Sequence, residues 1–114
     1  MAIKKEAPVT IKVSLDENKI PEKIKWSAPD GGIVDQEAKA MFLTFWDGNK
    51  KESLRMDLWT KKMPLDEMKL FFHQSLLSMT QSFKKATQDE KMSATLSDFC
   101  DYFAEKMKLD KRST

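Results

Sequence analysis

The chain has 114 residues, 40% of them hydrophobic and 33% charged, with 20 basic side chains against 18 acidic ones. That length fits one domain burying roughly 65% of its unfolded surface, and the composition excludes a disordered or membrane-embedded chain. The two charge signs interleave: the first 35 residues carry six of each and the last 26 carry five basic against six acidic, so no segment has the basic excess of a nucleic-acid binder.

Val9, Ile11, Val13 and Leu15 alternate with Thr10, Lys12 and Ser14, the pattern of a half-buried strand. Asp16-Glu17-Asn18-Lys19 supplies turn chemistry. A second strand follows, with Ile20, Ile24 and Trp26 inward and Lys23, Lys25 and Ser27 outward. Pro21 donates no ladder hydrogen bond and belongs at a strand start or an edge. Pro29-Asp30-Gly31-Gly32 breaks the pattern, and Asp35 to Lys39 reads as one helical turn.

Met41 to Trp46 and Ser53 to Trp59 read as a second hairpin around Asp47-Gly48-Asn49-Lys50-Lys51-Glu52. Centring the pairing on that loop sets Phe45 opposite Leu54, Leu43 opposite Met56 and Met41 opposite Leu58, three apolar cross-strand pairs on one face. The other face holds Ala40, Phe42, Thr44, Trp46, Ser53, Arg55, Asp57 and Trp59. A helix over Ala38 to Trp46 also fits the period of Ala38, Met41, Phe42 and Phe45, but Gly48-Asn49 and the Leu54/Met56/Leu58 alternation favour strands.

Two helices complete the chain. Pro64, Asp66 and Glu67 suit a helix start, and Leu65, Met68, Phe72, Leu76, Met79 and Phe83 form one apolar stripe. Thr87-Gln88-Asp89-Glu90 matches a capping box for the next helix, whose stripe is Met92, Leu96, Phe99, Phe103 and Met107. The short connection predicts an antiparallel helix pair. The fold class is therefore α+β: two β-hairpins forming a four-stranded, mainly antiparallel sheet, with the helix pair packed on one face. One domain spans residues 1–114, its ordered core at about 8–107 and its termini polar.

The inventory for chemistry is thin. His73, the one histidine, reads as a partly exposed residue on the flank of its helix. One Cys and one His do not make a structural zinc site, and no cofactor or metal is expected. Cys100, beside Phe99 and Phe103, reads as a small buried hydrophobe, and a single cysteine suits a reducing compartment. Asp47 and Asp57 lie ~17 Å apart in the proposed register, too far to work as a carboxylate pair. Gly31-Gly32 lacks the rest of a phosphate loop. No run approaches the ~18 apolar residues of a membrane-spanning helix.

What remains is the outer face of the second hairpin. Phe42, Trp46 and Trp59, with Arg55 and Asp57 among them, have the composition of an interface centre. That face is open if the helices cover the other side, and closed if residues 36–40 or a terminus fold across it.

The same segment carries a resemblance. Lys39-Ala40-Met41-Phe42-Leu43, Phe45-Trp46-Asp47 and above all Leu54-Arg55-Met56-Asp57-Leu58-Trp59-Thr60-Lys61 resemble the gliding motility protein GldC family of gliding bacteria. Met63, Asp66-Glu67-Met68, Phe71-Phe72-His73-Gln74 and Phe103-Ala104-Glu105-Lys106-Met107 extend the likeness, which runs from about Ile11 to Met107. It implies a small soluble accessory protein of the machinery that moves adhesins along the cell surface. It further implies a link to type IX secretion, a cytoplasmic location and no enzymatic activity. The expected partner is a protein component of that machinery, or a second copy of the chain. A single-stranded nucleic-acid platform is the alternative, since aromatic and basic side chains on a sheet can stack bases and meet phosphates. The near-neutral charge and Asp57 among the rings weigh against it. An enzymatic reading rests only on His73 and Asp57.

Overall fold

Alternating apolar residues build strands wherever the sequence places them. The computed structural model describes residues 5–109, so the tail beyond 109 lies outside the described residues. The elements are β1 (Thr10–Leu15), β2 (Pro21–Ala28), a 3₁₀ turn (Pro29–Gly31), β3 (Ile33–Ala38), β4 (Ala40–Asp47), β5 (Glu52–Trp59), α1 (Leu65–Thr87) and α2 (Glu90–Lys106). The chain divides into two compact units, Met1–Met63 and Pro64–Thr114.

The first unit holds an antiparallel three-stranded sheet in the order β1-β2-β3 and a separate two-stranded sheet, β4-β5. The α+β class stands, but the expected single four-stranded sheet does not form. The expected helical turn at residues 35–39 is instead the end of β3, which pairs with β2 through Ile24–Ala38, Lys25–Glu37 and Trp26–Gln36. Asp35 sits in the left-handed region at φ 47, where the register of β2 and β3 shifts, and Ser27 Oγ accepts its N–H at 2.8 Å. A short polar side chain tolerates that conformation, so the chain stays paired through the irregularity.

Ile24 is the centre of the three-stranded sheet, 1% exposed, with Val13 on one side and Ala38 on the other. Pro21 opens β2, as its missing N–H requires. Ile20 falls in the turn and is exposed rather than inward. That turn is organised by Asp16, whose Oδ1 accepts from Asn18 N at 2.8 Å and Ile20 N at 3.0 Å. Its Oδ2 receives Lys61 Nζ at 2.6 Å, joining residues 45 apart in sequence.

The hydrogen bond from Lys61 and those from the turn amides hold the Asp16 carboxyl below its ordinary value of 3.8, and Lys61 is raised above 10.5 in return. A depressed carboxylate stabilises the fold fully above its unfolded value, and this contribution disappears as pH falls through the folded value. Urea midpoints should therefore be level above about pH 4 and drop on further acidification. Asp16→Asn keeps the oxygen for the turn amides but loses the charge. It should start lower at neutral pH and lose part of that acid-dependent drop.

In the second unit the helices run antiparallel, with Lys84 Nζ 3.4 Å from Glu90 at one end and His73 against Phe103 at the other. The expected capping box is replaced. Thr87 stays in α1, its Oγ1 donating to Phe83 O at 2.8 Å. Asp89 becomes the cap of α2, accepting Met92 N at 2.9 Å, after Gln88 turns the chain at φ 57.

The seam between the helices also differs from the predicted stripes. Its buried residues are His73 on α1 and Ser93 and Cys100 on α2. Leu65, Phe72, Met79, Met92 and Phe99, all expected in the core, are exposed. Ser93 Oγ is buried with no hydrogen-bond partner among the described residues. Removing a buried orphan hydroxyl recovers its desolvation cost, and Ala is the better helix former. Ser93→Ala should raise stability by about 1 kcal/mol, read as a shift in urea midpoint at unchanged slope.

Candidate functional site

The β4-β5 hairpin forms in the predicted register: Met41–Leu58, Leu43–Met56 and Phe45–Leu54 are direct pairs on one face. Asp47 closes the loop, its Oδ1 accepting Asn49 N at 2.9 Å and its carbonyl accepting Lys51 N at 2.8 Å. At the base, the Lys39 carbonyl between β3 and β4 accepts from both Thr60 N at 2.8 Å and Thr60 Oγ1 at 3.0 Å. Thr60 is buried, so this pair of hydrogen bonds fastens the end of β5 to the strand junction.

The five candidate residues share the other face, in the pairs Ala40–Trp59, Phe42–Asp57, Thr44–Arg55 and Trp46–Ser53. Arg55 is its centre. Its Nε donates to Asp57 Oδ2 at 2.9 Å, Nη1 donates to Thr44 Oγ1 at 3.2 Å, and the guanidinium carbon lies 5.7 Å from the centroid of the half-buried Phe42 ring. The ion pair is solvent-exposed and contributes at most about 1 kcal/mol to stability; its effect is to fix where the guanidinium points.

Trp46 and Trp59 are 67% and 57% exposed. They do not touch: six residue steps separate Ser53 from Trp59, about 20 Å along the strand. The surface is thus a polar, arginine-centred strip with an indole at each end, not one continuous aromatic patch. Thr44, the second hydrogen-bond partner of Arg55, was legible from parity as a member of this face but carried no separate signal.

His73 is 4% exposed, against the expectation of a partly exposed histidine. Its ring stacks on Phe103 at 6.0 Å between centroids, and Nε2 lies 3.1 Å from the Cys100 carbonyl. A carbonyl only accepts, so Nε2 carries the proton in this bond. Cys100 is a buried free thiol with Thr80 Oγ1 3.7 Å from its sulfur. Among the described residues no three His, Cys, Asp or Glu side chains gather as metal ligands, and no helix is long and apolar enough to cross a membrane.

The chain is a two-unit α+β protein whose β4-β5 hairpin bears exposed tryptophans on either side of a hydrogen-bonded arginine. The family model described as gliding motility-associated protein GldC-like matches residues 21–109 of the 114, and the chain belongs to that family. The match opens at Pro21, the first residue of β2, and takes in every later element. No curated protein and no solved structure matches the chain.

Proposed function

We propose that this chain is a non-enzymatic accessory protein of gliding motility that docks a protein component of the machinery through the Phe42, Trp46, Arg55, Asp57 and Trp59 face. The reading places it in the cytoplasm, alongside the type IX secretion-linked apparatus. The observation that carries it is the pair of exposed indoles flanking an arginine already fixed by Asp57, Thr44 and Phe42. Trp and Arg, with Tyr, are enriched among the residues whose truncation weakens an interface strongly. Membership of a gliding motility-associated family supplies the process.

Trp46→Ala with Trp59→Ala tests it. Each indole is expected to account for about 2 kcal/mol of docking, or roughly thirty-fold in affinity. The double variant, folded and expressed as the parent chain, should fail to retrieve the motility partner and should abolish colony spreading. Retention of both activities removes this reading. The single-stranded nucleic-acid alternative draws less support, because Lys25 stands opposite Glu37 and Arg55 is paired with Asp57. Oligonucleotide titration at low salt should show no salt-sensitive binding.

A further inference from the structure

We infer that the turn Thr60-Lys61-Lys62-Met63 is a releasable strap that locks the β4-β5 hairpin to the three-stranded sheet. Opened, it frees the hairpin to pivot at Lys39. The device uses none of the five docking residues and does not rest on that reading. The two sheets are separate. β3 ends at Ala38 and β4 begins at Ala40, so the chain crosses from one sheet to the other through Lys39 alone. A single connecting residue leaves two soft backbone dihedrals at the crossing. Such a point is a hinge unless a second attachment spans it.

The strap is that second attachment. Where β5 ends, Thr60 holds the Lys39 carbonyl through its N–H at 2.8 Å and its hydroxyl at 3.0 Å. Met63 N donates to Thr60 O at 3.1 Å and closes the turn, with Lys61 and Lys62 at its two central positions. Both lysines reach the neighbouring sheet. Lys61 Nζ meets Asp16 Oδ2 in the β1-β2 turn at 2.6 Å, and Lys62 Nζ lies 3.5 Å from Glu37 Oε1 on β3. Lys62 also lines a cleft with Ser14, Glu22 and Lys23. Three consecutive residues thus tie the base of the hairpin to the pivot, to a turn and to an edge strand. Both lysine side chains are exposed, and exposed ion pairs are weak singly and screened as ionic strength rises. The pairs act together, because one turn carries both lysines. Salt or loss of charge therefore opens the strap, while the backbone ladders on either side stay formed.

Asp16→Asn with Glu37→Gln keeps the size of both acceptors and removes their charge. Trypsin cleavage after Lys61 and Lys62, normalised to a free peptide of the same segment, follows the open population of the strap. In the full-length double variant it should be about ten-fold faster than in the parent chain at low salt. Raising salt to about 1 M should speed cleavage of the parent several-fold and leave the variant nearly unchanged. Residual dipolar couplings of the backbone amides report the pivot: one alignment should fit both sheets of the parent, and the variant should need two. Equal cleavage of parent and variant overturns the strap, as does parent cleavage that ignores salt. Sheets that keep one common alignment in the double variant overturn the pivot. The salt series needs no substitution, so it decides the matter even where the variant misfolds.

Discussion

A His73→Ala chain is expected to lose about 3 kcal/mol of stability in its helical unit. The ring fills space between α1 and α2, stacks on Phe103 and donates to the Cys100 carbonyl. Alanine removes all three contributions, and most of the loss is the cavity: buried aromatic-to-alanine changes typically cost about 3–5 kcal/mol, whereas one neutral hydrogen bond contributes about 1. The Cys100 carbonyl lies within α2, so it is not left wholly unpaired. His73→Leu restores volume without the donor and should recover over half of the loss. The measurement is hydrogen exchange resolved along the chain, where α1 and α2 should open first. An unchanged exchange pattern for His73→Ala would show that the ring does not pack as described. The result also separates a structural histidine from a catalytic one, because Leu rescues only the former.

Ile24→Ala is expected to cost the sheet unit about 3 kcal/mol, and Ile24→Val only about 1. Among the described residues Ile24 is the one strand residue that is almost wholly enclosed, and it sits on the middle strand with neighbours on both sides. Deleting its branched side chain leaves a hole that two flanking strands must close together. Lys12→Ala, on the exposed face of β1, should stay within about 0.5 kcal/mol of the parent. Chemical denaturation followed by tryptophan fluorescence checks the series, since Trp26 is on the same strand face as Ile24. Equal midpoints for Ile24→Ala and Lys12→Ala would contradict this account.

The hairpin was fully readable from the sequence because one signal fixed it twice. Gly48-Asn49 marked the turn, and the alternation of Met41, Leu43 and Phe45 with Leu54, Met56 and Leu58 admits only one register that pairs apolar with apolar. β3 was not readable. Asp35, Gln36, Glu37 and Ala38 have no alternation and lean towards helix; pairing with β2 overrides that preference, as strand context commonly does. The helix stripes were found in part. Met68, Leu76, Phe83, Leu96 and Phe103 are half-buried as expected, while Leu65, Phe72, Met79, Met92, Phe99 and Met107 are exposed and His73, Ser93 and Cys100 are the most enclosed. The period does not distinguish the row Leu65–Phe72–Met79 from the adjacent row through His73 and Thr80. Small residues decide it: Ser93 and Cys100 let the helices approach along the second row. For the candidate site, parity placed all five residues on one face, while the 20 Å between the indoles follows only once the register is counted out.

Arg55 ends with little freedom left to lose. A free arginine side chain carries about 2 kcal/mol of rotamer entropy, which a partner must overcome when it immobilises the group. Here Asp57, Thr44 and the Phe42 ring already hold the guanidinium from three directions, so that ordering belongs to folding and not to association. A ligand arriving between Trp46 and Trp59 would meet a charge standing in its final orientation. In rate terms, Thr44→Val with Asp57→Asn should leave encounter nearly as fast and shorten the life of the complex. Those two positions would then control how long the protein stays bound by holding Arg55, whatever further contact Asp57 makes on the same face.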